Sequence, residues 1–364
     1  MAETQAFIAV GEEGNRGAKE VVTVGFIAVN SLEMPEADYM LKEPTEFRGE
    51  DTALGDITPA IRMGEKWEGL SLEMPAFTES GVVSGMIGTI FKHFFGKATS
   101  VQNAATGQYA HMIYAVNDPF NTANLGAKAL TFSLNAMHET TLKNHPYIGG
   151  RVSKLSFKQE LGEHLIITAE AMGQKLLDPE TGLVSPSYPA ENLRLDYNNM
   201  AIRTGGTVTR TGVAPDYTNI TSTGDLIKAD SIEIDVERGM EDKLVSDGTT
   251  SPNKTTVGKL KGTLSMTIDF RDPSSGFSSV DEFTVWLAGS GEIDILGTWN
   301  SGTQAGTGDN HALILDMPRC ERLGGMPEIS REEQSTITLK YKFLVSPTTL
   351  YAFGLLLKNT AAAV

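Results

Sequence analysis

The sequence predicts a mainly β fold built as two tandem β-sandwich or partly closed barrel domains, each with a flanking α-helix and a long inter-strand loop. Three observations carry this. The stretch YIGGRVSKLSFKQELGEHLIITAEAMGQK, Tyr147 to Lys175, alternates apolar and polar residues on either side of a Gly-containing turn, the pattern of an antiparallel hairpin. A hairpin alone has two unsatisfied edges, so it must belong to a larger sheet. The chain has 364 residues and is 40% hydrophobic, enough to bury two cores of ordinary size. Finally, one order of strand, loop, strand, helix and closing strands occurs twice along the chain.

In chain order, the Gly-rich GEEGNRGAKE reads as a flexible arm, because it lacks the Gly-Lys-Ser/Thr ending of a phosphate loop and no helix start follows it. VVTVGFIAV (Val21 to Val29) reads as a buried strand, followed by a polar loop from Asn30 to Pro59. KWEGLSLEMPAF (Lys66 to Phe77) is a strand. Val83, Met86, Ile87, Ile90, Phe91 and Phe94 then follow a helical spacing that Gly96 stops. Strands GQYAHMIYAV and AKALTFSLNAM lead into the hairpin. After a Pro- and Asn-rich stretch, DSIEIDVERG is a strand and MEDKLVSDGTTSPNKTTV a long polar loop. KLKGTLSMTIDF is the next strand, SSVDEFTVWLAG a helix ending at Gly289, and GEIDIL, HALILDMP and STITLKYKFLV are closing strands.

Lys66 aligns with Lys259, Gly69 with Gly262, Phe77 with Phe270 and Gly96 with Gly289, all at one offset, 262 − 69 = 193. With the shared order of elements, this register divides the chain into a first domain at 1–182, a linker at 183–228 and a second domain with a C-terminal arm at 229–364.

Thirty Lys and Arg against 46 Asp and Glu give a formal charge of −16, which argues against a surface that grips nucleic acid by neutralising phosphates. The single cysteine, Cys320, excludes an intramolecular disulfide and reads as a small buried residue. No basic-then-apolar leader and no long apolar run is present, so synthesis and folding are expected in the cytosol, with no membrane partner. His138 and His145 in HETTLKNH are seven apart, whereas a helical HExxH motif needs four, so no metal site and no cofactor are expected. No nucleophile elbow occurs, and Ser156 and Ser265 fall inside strands, so no enzyme is expected.

The acidic alternation of DSIEIDVERG is more informative. Ile232, Ile234 and Val236 face one way, and Glu233, Asp235 and Glu237 the other. Like charges along one strand face repel, by a few tenths of a kcal/mol or more per close pair. Such a row is either a solvated face that discourages edge pairing or a surface with a use.

The hairpin at Tyr147, with ADSIEIDVERGM, VGKLKGTLSMTIDF and LDMPRCERLGGMPEISREEQSTITLKYKFLV, resembles the major tail tube proteins of long-tailed, siphovirus-like bacteriophages, from about residue 60 onward. The resemblance implies a structural virion protein synthesised in the host cytoplasm. Its rings stack into a tail tube whose inner β-wall surrounds passing double-stranded DNA, and its other partners are tail proteins. Two tandem tube-type domains imply a ring of three chains with pseudo-six-fold symmetry. Glu233, Asp235 and Glu237 are then expected to face the lumen, and the loops Asn30 to Pro59 and Glu241 to Thr256 to touch successive rings, the second through Asp247, Ser251, Asn253 and Lys254. The alternative is an outward-facing adhesion or carbohydrate-binding β-sandwich, for which Trp299, beside the flexible-looking GTWNSGTQAGTGDN, would supply a stacking surface.

Overall fold

Period-2 alternation dictates sheets along most of the chain, and the strands pair antiparallel. The computed structural model describes residues 6–21, 26–27, 29–42, 61–78, 86–103, 106–182, 190–244, 251–252, 254–289, 291–329 and 334–362. The first half contributes β1 (Ala6–Glu13), β2 (Phe26–Ile27), β3 (Ser31–Glu33), β4 (Glu36–Lys42), β5 (Ile61–Pro75), α1 (Met86–Phe95), β6 (Gly96–Gln102) and β7 (Tyr109–Ala115). It continues through β8 (Ala129–His138), β9 (Thr141–Glu160), β10 (Ile166–Gly173), β11 (Lys175–Leu176) and β12 (Glu180–Thr181). Then follow β13 (Met200–Thr204), β14 (Val208–Val213), β15 (Asp216–Ser222), β16 (Asp225–Ile227), β17 (Ala229–Lys243) and β18 (Lys254–Asp269). The last elements are α2 (Ser279–Leu287), β19 (Glu292–Gln304), β20 (Asn310–Gly324), β21 (Pro327–Glu328), β22 (Thr336–Phe343) and β23 (Gly354–Asn359).

One sheet runs β5–β10–β9–β17–β18–β22, with β3 and β4 along the outer side of β5. A second runs β6–β7–β23–β20–β19–β13–β16, and the two meet where the end of β20 pairs with β22. A third group, β1 and β8, pairs with the first part of β9. In both halves the strand before the helix pairs with the closing strand of its own half, β5 with β10 and β18 with β22. The halves are also joined to one another, β9 to β17 and β7 to β23.

Leu155, Phe157, Ile232, Ile234, Val236, Leu264, Met266, Leu339 and Tyr341 form the apolar face of the first sheet and share one core with Ile90, Phe91 and Phe94 of α1. Phe353 fills its centre, with ring centroids 5.5 Å from Phe95, 5.4 Å from Phe343 and 6.3 Å from Phe157. Helix α1 is therefore internal rather than flanking. Helix α2 is peripheral, capped by Ser278 Oγ accepting from the Asp281 N–H at 3.0 Å, with Leu287 63% exposed.

The glycines of YIGG have a local cause. β9 changes sheets there, and its register against β8 shifts between Leu130↔Gly150 and Phe132↔Tyr147. Gly149 sits at φ +68, and a Cβ on it would lie 2.6 Å from Gln174 Cγ.

Several expected loops are structured. The Gly-rich arm begins with β1, and its Glu13 is fully buried, accepting from Thr131 Oγ1 (2.8 Å) and the Gly149 (2.8 Å) and Gly17 (2.7 Å) N–H groups. Residues 31–42 of the expected first loop pair with β5, and residues 43–60 lie outside the described residues, as does Val83. The segment 183–228, expected as a linker, carries β13 to β16. Arg210 of β14 binds buried Asp316 at 2.7 Å and Asp294 at 3.1 Å, fastening the β14–β15 hairpin to the second sheet. The C-terminal arm contains β23, buried throughout. Trp299 is not a loop residue: its side chain is fully buried in β19 and its indole N–H donates to Gln159 Oε1 at 2.5 Å. Cys320 is buried as expected, and burial pushes its thiol up.

Candidate functional site: a polar sheet face

The first sheet packs one face and opens the other. On β17 the buried residues Ile232, Ile234 and Val236 alternate with Glu233 and Glu237, which are exposed, and Asp235, which is half-buried. The expected separation of the acidic triad from the isoleucines therefore holds. Its surroundings differ from a purely acidic row. Glu233 pairs with Lys158, Asp235 with Ser156 and Glu237 with Lys154 across β9, and on the other side Glu237 pairs with Lys261 of β18. Beyond β18, Thr263 and Ser265 stand opposite Lys342 and Lys340 of β22. The face is thus striped, an acidic strand between strands that carry lysines.

Contacts within the face follow the stripes. Lys261 Nζ lies 3.6 Å from Glu237, Lys154 Nζ 3.1 Å from Glu170 and Lys158 Nζ 2.9 Å from Glu160, while Ser156 Oγ donates to Asp235. Glu170 raises the ammonium of Lys154 above its ordinary value, and Glu160 does the same for Lys158, so both remain charged near neutral pH. These exposed pairs contribute little to stability, about 0–1 kcal/mol each. Of these ion pairs only Lys261–Glu237 engages the triad, while Glu170 and Glu160 engage Lys154 and Lys158. The lysines are legible in the hairpin; their place beside the triad is not, because no local pattern links β9 to a strand about 75 residues further along the chain.

Of the loop residues, Asp247 and Asn253 lie outside the described residues. Ser251 is half-buried and Lys254 is the exposed first residue of β18. β17 runs to Lys243, so the loop is shorter than the span Glu241 to Thr256. Its base is held by the first half. Gln174 Nε2 donates to the Pro252 carbonyl at 2.7 Å, and Arg16 bonds Thr255 Oγ1 at 2.8 Å and Asp242 at 2.5 Å.

Several histidines serve the fold. His93 is buried and reaches Glu12 through Nε2 at 3.0 Å, an acid held far below its ordinary pKa first by that bond. His111 is buried with Nε2 facing both Asn359 Oδ1 (2.9 Å) and the Ala361 carbonyl (3.0 Å), two acceptors, so Nε2 carries the proton. Nδ1 then accepts from Ser100 Oγ at 2.7 Å. The array tethers the C-terminal residues to β7. No helix among the described residues is long and apolar enough to cross a membrane.

A β-sandwich with a wide polar face and a buried internal helix defines a structural class of β protein. Over residues 4–342 the chain matches the family described as phage tail tube protein, and it belongs to that family. Membership makes it a structural protein of the tail tube, a virion component that works by self-assembly and with other tail proteins. Among curated proteins, none matches the chain.

Proposed function

We propose that the polar face of the sheet β5–β10–β9–β17–β18–β22 lines the lumen of a tube of stacked rings through which double-stranded DNA passes. The observation that carries this is the striped charge of that face. DNA bears one negative charge per about 1.7 Å of axis, and a basic wall would hold it by counterion release. A wall in which Glu233, Asp235 and Glu237 offset the neighbouring lysines neither binds the duplex tightly nor excludes it, which suits passage. Each ring contains three chains, with residues 1–182 and 229–364 as two quasi-equivalent halves around a pseudo-six-fold axis. The recurrence of β5–α1–β10 as β18–α2–β22 supports that arrangement. The β17–β18 connection through Asp247, Ser251, Asn253 and Lys254 touches the next ring.

The test replaces all three carboxylates: Glu233→Lys, Asp235→Lys and Glu237→Lys together. Tubes should still assemble, because the side chains lie off the core. DNA release from assembled phage should slow and recover as salt is raised. Unchanged ejection kinetics, or a cryo-electron microscopy map with this face outward, would remove the lumen assignment. Six chains per ring in that map would remove the three-chain ring.

A further inference from the structure

The tip of the β8–β9 hairpin holds two histidines whose Nε2 atoms lie 2.9 Å apart, with ring centroids 5.1 Å apart. They are seven residues apart in sequence, a spacing that no single helix or strand converts into a contact; the hairpin does. In its register Leu134 pairs with His145, Ala136 with Lys143 and His138 with Thr141. His138 and His145 therefore rise from one face, with Ala136 between them, too short to keep the rings apart. The turn that sets this register places Glu139 at φ +54, a left-handed conformation unusual outside glycine.

We propose that His138 and His145 form a bidentate site for a divalent transition cation, Cu²⁺ or Ni²⁺, bound through both Nε2 atoms. Imidazole suits Cu²⁺ and Ni²⁺, and from their hydrogen-bonded distance the two nitrogens need little change in separation to take adjacent right-angled positions. Nitrogens at about 2.0–2.1 Å from a metal are about 2.9 Å apart when they occupy adjacent right-angled positions, and about 3.3–3.4 Å apart at the tetrahedral angle preferred by zinc. The observed 2.9 Å fits the right-angled case, the geometry of tetragonal Cu²⁺ and of six-coordinate Ni²⁺.

Without the metal, one Nε2–H donates to the lone pair of the other ring. On binding, the donor ring moves that proton from Nε2 to Nδ1 through solvent, so both lone pairs face the cation and the neutral pair loses no net proton. Among the described residues no cluster of three or more His, Cys, Asp and Glu is placed to hold a metal, so water fills the remaining positions. Exposed His138 and half-buried His145 leave the site open to solvent.

Titration of the untagged full chain with Ni²⁺ by calorimetry, and with Cu²⁺ by electron paramagnetic resonance, tests the site. One ion per chain is expected, with a Cu²⁺ spectrum showing two equivalent nitrogens. His138→Asn and His145→Asn should each weaken binding at least about tenfold, since each removes an intramolecular second ligand. Ala136→Val keeps both imidazoles but sets a branched side chain between them, and should also weaken binding. His164→Gln, at a histidine already paired with Asp196 at 2.5 Å, should leave the affinity unchanged. A double variant His138→Asn, His145→Asn that binds as tightly as the parent chain would overturn the proposal, as would a Cu²⁺ spectrum without nitrogen coupling.

Discussion

At the scale of the residue, burial sets the response to acid. His93, His111 and His311 all have ring pKa values held below the ordinary 6.5, each first by desolvation. A depressed histidine pKa means that the unfolded chain takes up the proton first. The stability these rings contribute is therefore complete above about pH 6.5 and lost as pH falls below it. Asp294 acts in the opposite sense at lower pH, since burial pushes it up from 3.8 to about 6 and the folded state holds its proton more tightly. His111→Gln isolates one ring: urea midpoints at pH 7.5 and 5.5 should differ less in the variant than in the parent chain. An equal pH slope in both would show that His111 does not titrate on unfolding. None of this was legible in a list of scattered histidines, because spacing cannot reveal which side chains the sheets enclose. Trp299 shows the same limit: its polar, Gly-rich neighbours suggested exposure, whereas strand pairing through Met200 and Leu313 places it in the core.

At the scale of the element, alternation was readable and pairing was not. The two-sided character of β9, β17 and β22 follows directly from period-2 patterning, and the helices from their apolar spacing and glycine stops. No local pattern states that β17 lies beside β9. Nor does any local signal announce Arg16, whose contact with Asp242 spans 226 positions. The two side chains are only 6% and 2% exposed, so this ion pair is desolvated. Arg16→Ala would leave Asp242 buried with Thr255 Oγ1 as its remaining partner, a loss expected to cost about 3–5 kcal/mol. Thermal melts should show the drop, and hydrogen exchange should rise first in residues 240–243 and 254–257. Faster exchange spread evenly over the chain would mean that Arg16 is not a local fastening of the β17–β18 hairpin.

At the scale of the whole molecule, the repeat expected from the four aligned identities meets sheets that ignore its boundary. β9 hands its edge to β17, and β7 hands its edge to β23. Fragments 1–182 and 183–364 produced separately would each expose long unpaired strands with an apolar face, a recipe for aggregation. Each alone is expected to be insoluble or unfolded, whereas co-expression should recover a soluble pair on gel filtration. Two separately folded, monomeric fragments would contradict this.

The length of β9 carries a mechanical consequence. Its 20 residues pair with β8, β10, β11, β12 and β17, so force applied along its axis acts across many hydrogen bonds at once. Antiparallel ladder bonds lie perpendicular to the strand, and pulling along it shears them together instead of peeling them singly. The β14–β15 hairpin, by contrast, is a separate two-stranded sheet that can be unzipped one bond at a time. Single-molecule pulling from points at the two ends of β9 should register a high, sharp rupture force, and pulling across β14–β15 a low and gradual one.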